Sequence, residues 1–230
     1  MRFGHMKPMI RTALAAAALT MLAFAAPAAL AQQGQAAAAR PANVALTGAD
    51  RDNALTRANR SLSGAQRLQS RFTQTAPDGS RAMGTLYMQR PGKMRFEYDP
   101  PATLLIVSDG SVVSMRDTAL RNTERTNLRS TPLNLILRNQ VDLARDARVT
   151  GVARNGNWLI VSARDRSGMT DGEITMFFFG PNAELRAWDV EDATGARTRI
   201  VLSELTRPAG FNQSLFRMED QLSNRRTGRP

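Results

Sequence analysis

After Phe72 the chain is punctuated by turn-forming residues at short intervals: Asp78-Gly79, Pro91-Gly92, Asp99-Pro100-Pro101, Asp109-Gly110, Asn155-Gly156, Asp171-Gly172, Pro181-Asn182 and Thr194-Gly195. Between them, many segments alternate apolar and polar residues, which is the period of a half-buried strand. The spacing predicts strands over 82–89, 93–98, 103–108, 111–116, 146–153, 157–164, 173–179, 184–190 and 196–205, joined as an antiparallel meander. The most informative stretch is 85–110. There Leu86 and Met88, then Met94, Phe96 and Tyr98, alternate on either side of Arg90-Pro91-Gly92-Lys93, whose Pro and Gly suit a chain reversal. A third run, 104–107, stops at the hairpin dipeptide Asp109-Gly110.

Two segments break the strand pattern. Leu55, Ala58, Leu62, Ala65, Leu68 and Phe72 follow helical spacing behind the weak capping signal of Thr47 and Asp50, so one amphipathic helix is expected from roughly Asp52 to Arg71. Thr131-Pro132 offers an N-cap and a proline at the first helical position, and Leu133, Ile136 and Leu137 then share a face, which predicts a short apolar helix through Arg138. A further short turn is expected over 141–144. The resulting class is α+β, mainly β. It is a single antiparallel, strongly curved sheet of about ten to eleven strands, an unclosed half-barrel with helical lids enclosing an apolar cavity.

Residues 1–31 have the make-up of a secretory signal. Arg2, Lys7 and Arg11 precede or flank an apolar run from Ala13 to Ala26, and Ala29-Leu30-Ala31 fits an A-x-A cleavage site. That run is shorter than the roughly twenty residues a membrane span needs. Cleavage after Ala31 and a secreted destination are expected, followed by a flexible leader over 32–49, one folded domain over 50–222 and a disordered basic tail over 223–230.

The signal holds three of the 31 Lys and Arg residues and no acidic ones, leaving 28 against 20 Asp and Glu, about +8. In a secreted protein this excess favours anionic membrane surfaces or acidic proteins over nucleic acid, the alternative being a merely Arg-rich composition. The chain has no Cys, and its one His, His5, lies in the signal. That argues against Ser-His and Cys-His catalysis, thiolate chemistry and the usual zinc sites, so no enzyme activity, cofactor or metal is expected.

The succession Arg90-Pro91, Phe96 and Ser108-Asp109-Gly110 resembles the LolA family of periplasmic lipoprotein carriers. Arg71-Phe72-Thr73-Gln74 is similar to the family's FxQ segment, and Thr131–Gln140 to its lid helix. The resemblance spans roughly Asp52 to Asp220. There are departures: Phe96 stands where the family has Trp, Val113 and Met115 replace aromatic residues, and Phe216-Arg217-Met218 replaces an F-x-F pair followed by prolines. The resemblance implies a monomeric carrier that takes acylated lipoproteins from an inner-membrane ABC-type release complex to an outer-membrane acceptor lipoprotein, or to the membrane itself.

It further implies that Arg90, before the turn proline, latches the lids. The lid residues are Leu55, Leu62, Leu68, Leu133, Ile136 and Leu137. The residues alone favour a solvated turn arginine at Arg90, and it is the resemblance that reverses this. Candidate linings of an acyl cavity are Leu86, Met88, Phe96, Ile106, Met176, Phe178, Trp188, Ile200 and Leu202, each of which could equally be ordinary core. Seven methionines survive signal removal, and their flexible thioethers suit either variable acyl chains or an irregular core. Met94 matches a family position that contacts the release complex and is the docking candidate. Competing readings are a carrier of another lipid or glycolipid, an envelope-stress sensing module on the same scaffold, and a hydrolase.

Overall fold

A computed structural model of the chain describes residues 42–166 and 172–218. The signal segment, most of the leader, Met169 and the basic tail lie outside the described residues. Within them, twelve strands form one antiparallel sheet. β1 (Val44–Ala45) precedes helix α1 (Gly48–Gly64). Then follow β2 (Arg67–Thr75), β3 (Arg81–Gln89), β4 (Lys93–Tyr98), β5 (Leu104–Asp109), β6 (Val112–Asp117) and β7 (Asn122–Asn127). A linker carries a 3₁₀ turn (Leu128–Ser130), α2 (Asn134–Leu137) and α3 (Leu143–Asp146). The second meander is β8 (Ala147–Asn155), β9 (Trp158–Asp165), β10 (Glu173–Phe179), β11 (Glu184–Glu191) and β12 (Arg197–Thr206).

The strand order is β1-β8-β9-β10-β11-β12-β2-β3-β4-β5-β6-β7, so the sheet is open, with β1 and β7 at its edges. Two meanders meet where β12 pairs with β2. The sheet curls until its two halves touch: Phe96 on β4 and Trp188 on β11, with three strands between them in the order, bring their rings to 6.3 Å edge-on. Because β7 and β8 lie toward opposite edges of the sheet, the chain between them must span it, and it does so on the concave face. There it buries Leu128, Leu133, Leu135, Ile136, Leu137, Val141 and Leu143. The crossing segment is therefore the connection that joins the two meanders.

Nine strands lie where alternation predicts them, within one or two residues at each end. The long helix does not. α1 begins at Gly48 and ends at Gly64, and the leader becomes ordered at Val44, where β1 pairs with β8. Leu68 and Phe72 lie on β2, so Leu68 is a sheet residue and not part of a helical lid. A spacing of four places two side chains on one face in a helix and in a strand alike, so this pair is ambiguous. Ser70 decides it. This residue between the two is buried and donates to the carbonyl of Ser203 on β12 at 2.6 Å, as period-2 alternation requires. Strand β7, NTERTN, is polar throughout and has no apolar alternation to reveal it.

The start of the second helix also differs. Thr131 does not cap α2; its hydroxyl donates to the Leu128 carbonyl at 2.8 Å, and Asn134 and Leu135 close turns onto Thr131 and Pro132. Regular helix is confined to four residues, Asn134–Leu137. The short turn expected over 141–144 is α3, with Asp142 accepting from the Arg145 amide at 3.2 Å.

The main apolar cluster fills the concave side. Ala54, Leu55, Ala58 and Leu62 on α1 pack with the inward residues of both meanders. Phe72 forms edge-on contacts with Phe96 at 4.9 Å and Tyr98 at 5.1 Å. Gly84, which pairs with both Phe72 and Tyr98, makes room for them. A Cβ there would stand 2.2 Å from the Glu97 carbonyl oxygen and 2.7 Å from the Phe72 ring. On the convex side, 211–216 straps the β3–β5 region: Phe211 meets Tyr87, Phe216 is buried, and Arg95 donates to the Leu215 carbonyl at 3.3 Å.

Candidate functional site

The β3–β4 turn is where two helices and the sheet meet. Arg90 is only 5 % exposed, and its guanidinium reaches out of the turn to both helices. One terminal nitrogen, Nη1, donates to the carbonyl of Ala65, the C-cap of α1; the other, Nη2, donates to the carbonyl of Ile136 in α2 at 2.6 Å. Carbonyls in the last turn of a helix lack intrahelical partners and carry the negative end of the helix dipole, so a guanidinium complements both ends at once. The turn backbone adds two more bonds, Arg90 N to Gln66 O at 2.9 Å and Gly92 N to Leu137 O at 2.8 Å.

No carboxylate lies among these partners. Burial pulls the Arg90 guanidinium down to about 10, which still leaves it charged at neutral pH. Its Nε is buried with no hydrogen-bond partner among the described residues. A buried cation held by neutral carbonyls and missing one partner is a less secure arrangement than an ion pair, and carries a desolvation cost that a hydrated state would relieve.

The Asp109-Gly110 turn buttresses the Arg90 turn. Ser108, fully buried, donates to the Gly92 carbonyl at 2.7 Å. Gly92 has φ +72°, and a Cβ there would meet the Gly110 Cα at 2.7 Å, so the two turns touch backbone to backbone. Asp109 accepts from the amides of Ser111 and Val112 at 2.8 and 2.9 Å, which sets its own turn. Separate sequence motifs thus form one rigid corner that carries Arg90.

Nearby polar groups tie α1 to the crossing linker. Asn59 accepts from the Leu143 amide at 3.0 Å, and Ser63 accepts from the Val141 amide at 3.0 Å. Sequence reasoning missed both. Their i, i+4 spacing beside the Leu55, Ala58 and Leu62 stripe was the available signal.

All nine candidate lining residues are buried in the concave cluster. They belong to the same apolar cluster as Leu55, Leu62, Leu133, Ile136 and Leu137 of α1 and the crossing linker. Met94 is a correction. At 1 % exposure it lies inside and pairs with Met88, because its strand turns Met94, Phe96 and Tyr98 inward and Lys93, Arg95 and Glu97 outward. It belongs to the lining and offers no docking surface. At the far end of the same face, the Tyr98 hydroxyl donates to Gln74 at 2.7 Å, and burial pushes this phenol up.

The family model for outer membrane lipoprotein carrier protein LolA matches residues 63–219, which include the Arg90 corner, the crossing linker and β12. The chain belongs to the LolA family. Curated relatives include an outer-membrane lipoprotein carrier protein of Chromobacterium violaceum, 32 % identical over 164 residues that make up 67 % of this chain and 78 % of the relative. Another, from Xylella fastidiosa, is 31 % identical over 165 residues, with the same two coverages. Among solved structures, a LolA superfamily protein from Nitrosomonas europaea aligns with a TM-score of 0.43 and 8 % identity, covering 73 % of this chain and 97 % of that one. Among the described residues of this LolA-family chain, no helix is long and apolar enough to cross a membrane, and no acidic, His or Cys group could hold a metal.

Proposed function

We propose that this chain is a periplasmic carrier that shields the acyl chains of lipoproteins on their way from the inner to the outer membrane, without bond chemistry. The observation that carries this reading is Arg90. A buried guanidinium with no counter-ion among the described residues bridges the C-terminal ends of two helices that cover an apolar concave sheet. A pure scaffold gains nothing from this arrangement, because an apolar side chain of similar size avoids the desolvation cost. A cover that must open gains a great deal, since solvent can take over the hydrogen bonds of both Arg90 and the freed carbonyls.

The energies are of matching size. Hydrogen bonds to a charged group contribute about 1.5–3 kcal/mol each, so the two Arg90 bonds hold the lids with about 3–6 kcal/mol. Burying acyl chain returns about 0.8 kcal/mol per CH₂, and about eight methylenes offset the latch. In this reading the apolar residues of α1 and α2 occupy the lining of the concave face in the empty carrier, and acyl chains replace them. The narrow margin matters for delivery, because cargo bound far more tightly would not leave.

The test is to express the protein with its signal in a Gram-negative periplasm, purify it gently and analyse co-purifying molecules by mass spectrometry. Triacylated or diacylated lipoproteins in near-stoichiometric amount are expected. Recovery of free phospholipid or glycolipid with no lipoprotein, from cells in which lipoprotein release is active, overturns the cargo assignment.

A further inference from the structure

Away from the Arg90 corner, four arginines from four separate segments converge on one surface pocket of about 740 Å³. Arg129 comes from the 3₁₀ turn, Arg138 from the end of α2, Arg145 from α3, and Arg166 from the residue after β9. Asp146 and Asp165 share the pocket, so the lining carries two more positive charges than negative ones.

Three of these guanidiniums are held in place from behind. Asp146, whose side chain is buried, accepts from Arg145 at 2.9 and 3.2 Å, pairs with Arg138 at 3.1 Å, and also accepts from the Asp142 amide at 3.0 Å. Arg166 donates from one nitrogen to the carbonyls of Ala144 and Ala147 at 2.8 and 3.2 Å. A guanidinium has five N–H donors, and these bonds use only part of each set. Arg129 is exposed and its side chain makes no hydrogen bond or ion pair among the described residues.

We propose that this pocket binds a phosphate group, carried by a soluble phosphoester or by a lipid headgroup. Planar guanidiniums match phosphate oxygens in paired hydrogen bonds, and several converging forks favour a group with three or four acceptor oxygens over a single carboxylate. The excess of two charges balances a phosphate monoester dianion. The volume exceeds that of a bare phosphate and admits the glycerol of a headgroup. This assignment stands on the pocket alone and does not depend on what occupies the concave face.

The test uses the mature protein at ionic strength held constant with NaCl. Glycerol 3-phosphate and inorganic phosphate are titrated by calorimetry, and flotation is measured with phosphatidylcholine vesicles with and without phosphatidylglycerol. Arg129→Gln and Arg138→Gln are compared with Arg60→Gln, which removes the same charge from the exposed side of α1. Binding of the soluble phosphates that weakens about tenfold in Arg129→Gln, but not in Arg60→Gln, identifies a soluble phosphoester site. The same dependence seen only with phosphatidylglycerol vesicles identifies a headgroup site. Arg129→Gln breaks no hydrogen bond or ion pair among the described residues, so misfolding does not cloud its result. Equal losses in Arg129→Gln and Arg60→Gln overturn the proposal, as does an absence of binding to every phosphate probe. So does a Glu-rich peptide that binds with the Arg129 dependence while the phosphate probes do not.

Discussion

Arg90 Nη2 donates to the Ile136 carbonyl at 2.6 Å, and two residues on, the Gly92 amide donates to the Leu137 carbonyl at 2.8 Å, so a hairpin turn caps the last turn of the crossing helix twice over. The side-chain bond can be removed without touching the backbone one, which separates latching from folding.

Arg90→Leu is therefore expected to fold and to accept lipoprotein. Losing about 3–6 kcal/mol of closed-state hydrogen bonding biases the lids open, and cargo gains affinity because less closure competes with it. Transfer from the variant to outer-membrane vesicles should slow at least tenfold. Release at the wild-type rate would remove the latch from the mechanism.

Leu133→Glu places a carboxylate inside the concave cluster, where Leu133 is buried at the start of the crossing helix. The linker should detach from the sheet at a cost of about 3 kcal/mol or more, read as a lower urea midpoint. Binding of acylated cargo should change with it. Unaltered binding by a folded variant shows that the linker does not cover the cargo site.

Gly84→Ala tests the aromatic corner of Phe72, Phe96 and Tyr98. The added Cβ would fall 2.2 Å from a backbone oxygen and 2.7 Å from the Phe72 ring, so strands and rings must shift. A loss of about 1–3 kcal/mol is expected from denaturant unfolding with unchanged slope. A neutral result means that the β3–β4 pairing can slide to absorb a methyl group.

Asp146 makes stability sensitive to acid. Burial raises this carboxyl, but hydrogen bonds from Arg145 and the Asp142 amide, with the charges of Arg138 and Arg145, hold it below its ordinary value. The unfolded chain then binds the proton more readily, so the contribution is present above the ordinary carboxylate range and fades as pH falls below it. Asp146→Asn should flatten the loss of thermal midpoint between about pH 5 and 3. A variant that still loses stability as steeply as the wild type assigns the acid transition to other carboxylates.

Asn59→Ala removes the side chain that accepts the Leu143 amide and should expose that amide to faster hydrogen exchange, at a stability cost of about 1 kcal/mol. Exchange at Leu143 that matches the wild type would place the tie between α1 and the linker elsewhere, at Ser63 and Val141.

Much of the architecture was legible in local sequence. Turn dipeptides and period-2 alternation are read from neighbours within a few residues, and they located nine strands, but which parity of each strand faces inward came only with the packed sheet. The apolar stripe of α1 was equally plain through Leu62. Where local signals were double-valued they misled: Leu68 and Phe72 fit either period, and Met94, which resembled an exposed contact, follows the parity of its own strand into the core.

By itself the sequence determined a Cys-free chain whose alternating strands build one antiparallel sheet and whose turn carries an arginine before Pro91. Only the tertiary structure decided that β12 joins β2, that β7 and β8 lie toward opposite edges, and that the linker crosses the concave face. It also decided the partners of Arg90, which lie 25 and 46 residues away in the chain. Periodicity records what a residue's near neighbours require of it. Which carbonyl a buried guanidinium meets depends instead on how the whole sheet curls, and that is settled when the halves pack together.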